Sequence, residues 1–497
     1  MSDPNIVLWY SRFGGVNTQE EESIRQDQEL LELDTCSNVI PDPLGKLVTR
    51  DGFSHVRATA ISGTPSITGM SHLLRDVTDR FILTGSDGEI YEDSANPPTA
   101  KAGGTDFTAG ADVLTRFDVH EALLHVVTRQ RDLPQTINAS GTKADAAGTP
   151  PRGVDYKVFG RRGHMFSPTY SGTTYLERLM FNSANDDSDA WANPTTINFL
   201  NFGRPGSGVE VLGGETYMDH LMTFTQDKVF PVYTTPNALL PFAFQKEIFA
   251  EEGGGPDGIH AVVAANERLY WISKNFDVKE MYGMTVKSIG YNLQPFLRGL
   301  SDARREFIVG GWEPKYRMVL WAVSDGADTQ HQDVIGLQVD TRQFYFFTLQ
   351  VNALANRSVS GELRVIGGHY HGLFSNLFNG STTGDLQAAA SLIDADIQTA
   401  PMHLGMPGVM KKIPYVAIEF PPVGSEAVTV QSGLDGGALA SFAESTFSPT
   451  ATNRIGYFTI PAPFETIVLR CRDAVSGDRF RVNRIGFPRP LSTWVER

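Results

Sequence analysis

Cysteine is almost missing from this 497-residue chain: Cys36 and Cys471 are the only two, at opposite ends. That count excludes a small disulfide-stapled scaffold and favours two free or buried thiols in a reducing compartment over one long-range bridge. No stretch approaches the roughly 18 consecutive apolar residues that a membrane helix needs. The opening MSDPNIVLWYSRFGG lacks the basic flank and long apolar core of a secretory signal. The sequence therefore reads as a soluble protein made in the cytoplasm, leaving a cell only by lysis or within an assembly. Basic residues are in deficit, 42 against 57 acidic ones, for a net charge of -15. Tight binding to a phosphate backbone needs clustered Lys and Arg, so this balance argues against it, whereas an acidic wall would let a duplex slide past. His-Glu-x-x-His, Gly-x-Ser-x-Gly and a phosphate loop ending in Gly-Lys-Ser/Thr are also missing, which removes support for several hydrolase and nucleotidase chemistries.

What the chain does have is a unit that returns. In Arg80 to Glu92 (RFILTGSDGEIYE), Phe81, Leu83, Ile90 and Tyr91 are apolar around the turn Gly85-Ser86-Asp87-Gly88. Less regular copies run from Leu221 to Tyr233, Glu267 to Tyr282, Val334 to Phe347 and Leu363 to Phe378. Period-two alternation broken by turn residues predicts antiparallel hairpins, and their recurrence predicts an all-β fold, a β-propeller with few short helices. Hydrophobic residues at 41% can fill such a core, and 48 Gly with 28 Pro suit its many turns.

Three sections follow from this pattern. Residues 1–75 form an opening section with a strand at Ile6 to Tyr10, a break at Gly14-Gly15, and an acidic segment, Thr18 to Leu33. Its Glu20-Glu21-Glu22 run reads as a solvated face rather than a site. Pro41 to Lys46 reads as a turn. Residues 76–400 carry the blades, with long surface loops at Ala95 to Ala111 and Asn138 to Gly153. Only Gln294 to Val309 and Asp385 to Ile397 look helical there. Residues 401–497 contain further alternating runs, either a last blade or a small sandwich, and periodicity does not choose between them.

Three constellations could carry chemistry. Asn185, Asp187 and Asp189 alternate like the start of a calcium loop, but Ala190 and Thr196 stand where Gly and Glu are needed, so a loop that solvates its carboxylates is favoured. The same stretch nearly fits Ser-x-Asp-x-Gly-x-x-Trp counted from Ser183, with Ser188 in the Gly slot and Trp191 one residue late. That motif is a turn that stabilises a blade, so it marks no catalysis. His369 and His371 would share one face of a strand, yet no third ligand is identifiable, and histidines in a turn are the favoured reading. Catalytic, cofactor and metal residues are therefore expected to be none, although 57 acids leave a carboxylate pair open.

The opening section carries a family resemblance. Phe13-Gly14-Gly15-Val16-Asn17-Thr18, an acidic stretch, Cys36-Ser37-Asn38-Val39-Ile40, and Gly45-Lys46-Leu47-Val48-Thr49-Arg50-Asp51-Gly52-Phe53 follow in order. This resembles the start of the β-propeller tail nozzle or tail-hub proteins of short-tailed bacteriophages. Tyr156 to Phe166, Leu179 to Trp191, Leu221 to Tyr233 and Gly253 to Tyr282 continue the likeness. The resemblance implies a non-enzymatic virion component, a homo-oligomer of six copies in a ring below the portal and adaptor. Fibres or a needle would attach beside or below it, and viral DNA would pass through without sequence-specific binding. Gly14-Gly15 would provide a sharp turn, and Asn38 and Gly52 would suit turns or bulges. Arg50 could bond within a blade or to a neighbouring subunit, the favoured alternative being a surface ion pair of little consequence. The competing function is a propeller that binds or degrades host-surface glycans, for which Trp191, Trp271, Trp312 and Trp321 could offer platforms beside carboxylates; buried blade tryptophans explain them equally well.

Overall fold

The computed structural model describes residues 6–10, 12–16, 30–41, 46–75, 78–191, 197–204, 207–326, 328–359, 361–379, 384–386, 390–404, 408–420, 428–450, 453–473, 481–488 and 491–492. The Glu20 to Glu22 run and most of the Pro41 to Lys46 turn lie outside them.

Among these residues the chain is an all-β protein built around a β-propeller. Antiparallel sheets follow one another along the chain as seven blades. Their innermost strands are Ile67–Arg75, Thr115–His120, Asp155–Phe159, Val211–Tyr217, Val263–Ala265, Val309–Glu313 and Ala353–Val359. Each lies against the next, except that Val211–Tyr217 meets the 3-10 turn Ile259–Ala261 just before Val263–Ala265, and the strand of blade 7 returns to that of blade 1, so the ring is closed. Closure uses a piece of the N-terminal section: Ser54–His55 pairs with Phe374–Asn376 and supplies the fourth strand of blade 7. That pairing removes an exposed sheet edge.

Four of the five hairpins read from the sequence are second and third strands of their blades. Thr78–Gly85 with Ile90–Glu92 and Arg268–Ile272 with Val278–Tyr282 are examples. The alternation is clearest there because both faces of a blade pack on neighbouring blades. The intervening spaces hold separate apolar clusters, such as Leu73, Ile82, Leu124 and Val126 between blades 1 and 2, and Tyr270, Trp321 and Ile335 between blades 5 and 6. Where inner strands crowd the axis, side chains must be missing: a Cβ on Gly69 would lie 1.8 Å from Thr115 Oγ1 of the next blade.

Both ends of the chain form a second β unit. Leu30–Ser37, Asp396–Thr399, Ile467–Asp473, Val428–Leu434 and Ala440–Phe447 are successive neighbours in one sheet. Ile6–Tyr10, Arg484–Pro488, Tyr415–Glu419 and Ile455–Thr459 make another. A single cluster joins them, including Leu33, Cys36, Val416, Ile418, Val430, Leu469 and Phe487, and it runs on to Tyr345 and Phe347 of blade 6. The first sheet is continuous with blade 6 through a parallel bridge from Ser37 to Phe346.

Three local expectations change. The described residues of Asp385 to Ile397 are not helical: Gly384–Leu386 pairs with Ala390–Leu392, and Asp396–Thr399 is inserted between two strands of the second unit. Sheet partners far along the chain override a local helical pattern. Gln294 to Val309 holds the short helix Gln294–Gly299 and the 3-10 turn Arg305–Phe307 before the strand Val309–Glu313 begins. Gly14-Gly15 is no break, since Arg12–Val16 is a strand; a Cβ on Gly15 would lie 2.5 Å from the Phe344 carbonyl, so its glycine allows close backbone approach to blade 6.

Cys36 and Cys471 are both buried free thiols. Each pairs across from Ile397, on opposite sides of the same strand. Two strand spacings of about 4.8 Å separate them, beyond the roughly 7 Å that a disulfide can bridge. Burial pushes the Cys471 thiol up to about 12.

Candidate functional site

The junction between blade 6 and the second unit is built on Asn38 and Arg50. Asn38 follows the strand Leu30–Ser37 and takes φ 57°, a left-handed conformation that Asn tolerates better than most residues. This turns its amide inward, where Oδ1 accepts from Arg50 Nε at 2.9 Å and from Thr348 N at 3.0 Å. Its Nδ2 donates to the Asp394 carbonyl at 3.0 Å, and its backbone N donates to Phe346 O at 2.8 Å. Arg50 is 2% exposed and also donates to the carbonyls of Asp51 and Thr348. The favoured reading of Arg50 as a surface ion pair is thus overturned: strand Gln343–Thr348 covers it, and it binds one part of the chain to another. Asp51 turns away and accepts from Lys315 Nζ and Tyr316 OH of blade 6. The Gly52 carbonyl accepts from Asn379 N at 2.8 Å.

A recess of about 660 Å³ adjoins this junction, lined by Glu313, Lys315, Glu362, Arg364, Leu377 and Phe378 among others. Burial pushes the Glu313 carboxyl up to about 7, against backbone N–H groups of Lys315 and Val365 that favour its ionised form. A carboxyl in that range can exchange a proton at neutral pH. The sequence reading missed it, although the alternation of Val309–Glu313 places Glu313 in phase with buried Val309 and Gly311.

Inside the ring, charges bind to one another. Arg116 of blade 2 reaches Asp155 of blade 3 and Glu215 of blade 4, both at 3.1 Å, and Lys157 lies 2.9 Å from Glu215. Burial by itself would raise the Glu215 carboxyl, but Lys157 and Arg116 together hold it below the usual range. These partners lie 39 to 99 residues apart in pairs with Arg116, so no local spacing announces them.

His369 and His371 part company in a turn: His371 is exposed, whereas His369 is 7% exposed. His369 Nδ1 donates to the Gln350 carbonyl at 2.7 Å, which leaves Nε2 to accept from Ser375 Oγ at 2.8 Å. Ser375 Oγ in turn lies 2.9 Å from His55 Nδ1, so the imidazole chain fastens the closing strand. Asn185, Asp187 and Asp189 are all exposed, and Asn185 Oδ1 accepts from Arg162 Nε at 2.7 Å. Their loop is held by Ser183 and Trp191, through Ser183 N to Ala190 O at 2.7 Å and Trp191 Nε1 to Ser188 O at 2.9 Å. Thr196 lies outside the described residues. No group of three or more His, Cys, Asp or Glu is placed to hold a metal ion among the described residues. Gly253 to Gly258 (GGGPDG) has the glycine spacing of a dinucleotide-binding turn, yet it opens onto the 3-10 turn Ile259–Ala261 between antiparallel sheets, without the parallel strand and helix that binding requires.

Three of the four tryptophans considered as glycan platforms are core. Trp191, Trp271 and Trp321 are 5%, 0% and 0% exposed, and the latter two donate to Gly254 O at 2.9 Å and Ala261 O at 2.8 Å. Trp312 is half-buried against the cluster between blades 5 and 6.

No protein-family model and no curated protein matches the chain. Among solved structures it is similar to YCF48 bound to D1 peptide, with 12% identity and a TM-score of 0.37 over 71% of this chain and 99% of that one. It is also similar to an exo-beta-1,3-galactanase from Phanerochaete chrysosporium with beta-1,3-galactotriose, with 9% identity and a TM-score of 0.26 over 88% of this chain and 100% of the other. Likeness at this level carries no argument about what this chain binds or catalyses.

Proposed function

We propose that the chain is a structural, non-enzymatic hub of a short-tailed bacteriophage tail, a ring component below portal and adaptor that extends the conduit for genome ejection. One observation carries the reading furthest. The motif residues that give the chain its resemblance to tail-hub proteins, Asn38 and Arg50 above all, are the residues that lock the propeller to the second β unit. A wall that bears ejection needs such a rigid joint more than it needs a reactive cleft. Core placement of Trp191, Trp271 and Trp321 also leaves those three unavailable as the glycan platforms that the competing reading needs. The test is assembly: the purified chain is mixed with the portal and adaptor rings of its virus, and mass in solution is measured beside negative-stain images. Ring closure on the template is the expected result. A chain that stays monomeric and binds neither ring would sink the proposal.

A further inference from the structure

A second recess, about 210 Å³, lies where the second, third and fourth strands of blade 5 meet a turn of blade 6, and its lining is Arg268, Glu280, Tyr282, Thr285, Lys287 and Arg342. Its chemistry is opposite to that of the chain as a whole. Three cationic side chains face one carboxylate, leaving two uncompensated positive charges in a protein of net charge -15.

That carboxylate organises the cations. Glu280 is 2% exposed, and it accepts from Arg268 Nη1 and Tyr270 OH on Oε1 and from Arg342 Nη2, at 2.7 Å, on Oε2. Glu280 thereby orients both guanidiniums, with Tyr270 also hydrogen-bonded to Arg268, and a guanidinium has five N–H donors, more than these bonds use. Arg268 is fixed further by lying 4.9 Å from the centre of the Tyr282 ring. Arg342 comes from the neighbouring blade, at φ 58°, a left-handed conformation that a long side chain rarely adopts. Lys287 stands exposed at the rim, directly across from Glu280 on the neighbouring strand.

We infer that this recess binds a small phosphate monoester, whose dianion would match the two uncompensated charges. The two guanidiniums present planar donor forks suited to phosphate oxygens, with the Lys287 ammonium as a third, mobile donor. The volume equals that of about seven waters, enough for the phosphate and part of a sugar. This inference is independent of the hub reading, since it concerns the isolated chain.

Calorimetric titration of the full chain with glucose 6-phosphate, and with neutral glucose, tests it. Saturable binding of one glucose 6-phosphate per chain is expected, with glucose giving none. Lys287→Gln leaves the hydrogen bonds from Arg268, Tyr270 and Arg342 to Glu280 in place and should weaken binding roughly tenfold, the equivalent of one charge-assisted hydrogen bond. Arg342→Gln should weaken it further. The inference is overturned by absence of saturable heat at about 10 mM, well above the millimolar affinity of a weak site. It is overturned equally by unchanged affinity in folded Lys287→Gln, or by glucose binding as well as its phosphate.

Discussion

Replacing Arg50 by Met keeps an apolar stem of similar length and removes only the guanidinium, so it isolates the bonds of the junction. In the wild-type chain Arg50 donates to Asn38 Oδ1, Asp51 O and Thr348 O from a position 2% exposed. Asn38 Oδ1 would retain its bond from Thr348 N. The carbonyl of buried Asp51 would lose a donor, and a buried unsatisfied acceptor costs about 1–3 kcal/mol, whereas the Thr348 carbonyl, 3.5 Å from Arg50 on an exposed residue, would lose little. Relief from burying a cation offsets part of this, leaving a net loss of about 1.5–2 kcal/mol. A surface ion pair would give about 0–1 kcal/mol instead, so the two readings are separable. Urea unfolding measures the difference, read from a midpoint shift at constant slope. Native-state hydrogen exchange at the Thr348 amide should accelerate in parallel, because its acceptor Asn38 loses the group that anchors it. Arg50→Met within about 0.5 kcal/mol of wild type, the range of an ordinary surface change, would refute the reasoning.

Two further outcomes follow from positions already described. Gly15→Ala places a Cβ 2.5 Å from the Phe344 carbonyl and 2.6 Å from its N, both rigid backbone, and should cost about 1–3 kcal/mol on the scale of an overpacked core, with melting temperature as the readout; an unchanged melting temperature would contradict the close approach. Burial pushes the His164 imidazole down to about 3, whereas an unfolded histidine titrates near 6.5. Its contribution is therefore complete above pH 6.5 and is lost as pH falls toward 3, by about 1.4 kcal/mol per unit. The destabilisation caused by His164→Asn at pH 7.5 should shrink by about 2 kcal/mol at pH 5, and equal values at both pH values would disprove the assignment.

Much of the fold was legible before any coordinates. Phe81 and Leu83 alternate around a turn because a strand buries every second residue, and the middle hairpin of a blade is packed on both faces. Outer strands such as Thr99–Ala100 and Lys143–Asp145 are only two or three residues long and carry too little pattern to be read. The Asp385 to Ile397 segment misled for a related reason. Its local spacing resembled a helix, while partners at Leu30–Ser37 and Ile467–Asp473 made its end a strand.

The site residues divide along the same line. Asn38 and Arg50 stood out in the chain as motif positions, but their burial and partners depend on Phe346 and Thr348, some 300 residues away. Arg268, Glu280 and Arg342 gave no signal, because nothing in 12 or 62 residues of separation marks two guanidiniums that share one carboxylate. Strand, turn and all-β class are properties of neighbours along the chain, set by side-chain alternation and turn chemistry, and the amino-acid order was sufficient for them. Ring closure by Ser54–His55, the joining of both chain ends into one unit, and every buried charge network are properties of neighbours in space. They arise from which hydrogen-bonding edges and apolar faces meet after the chain has folded back on itself, so the fold alone could supply them.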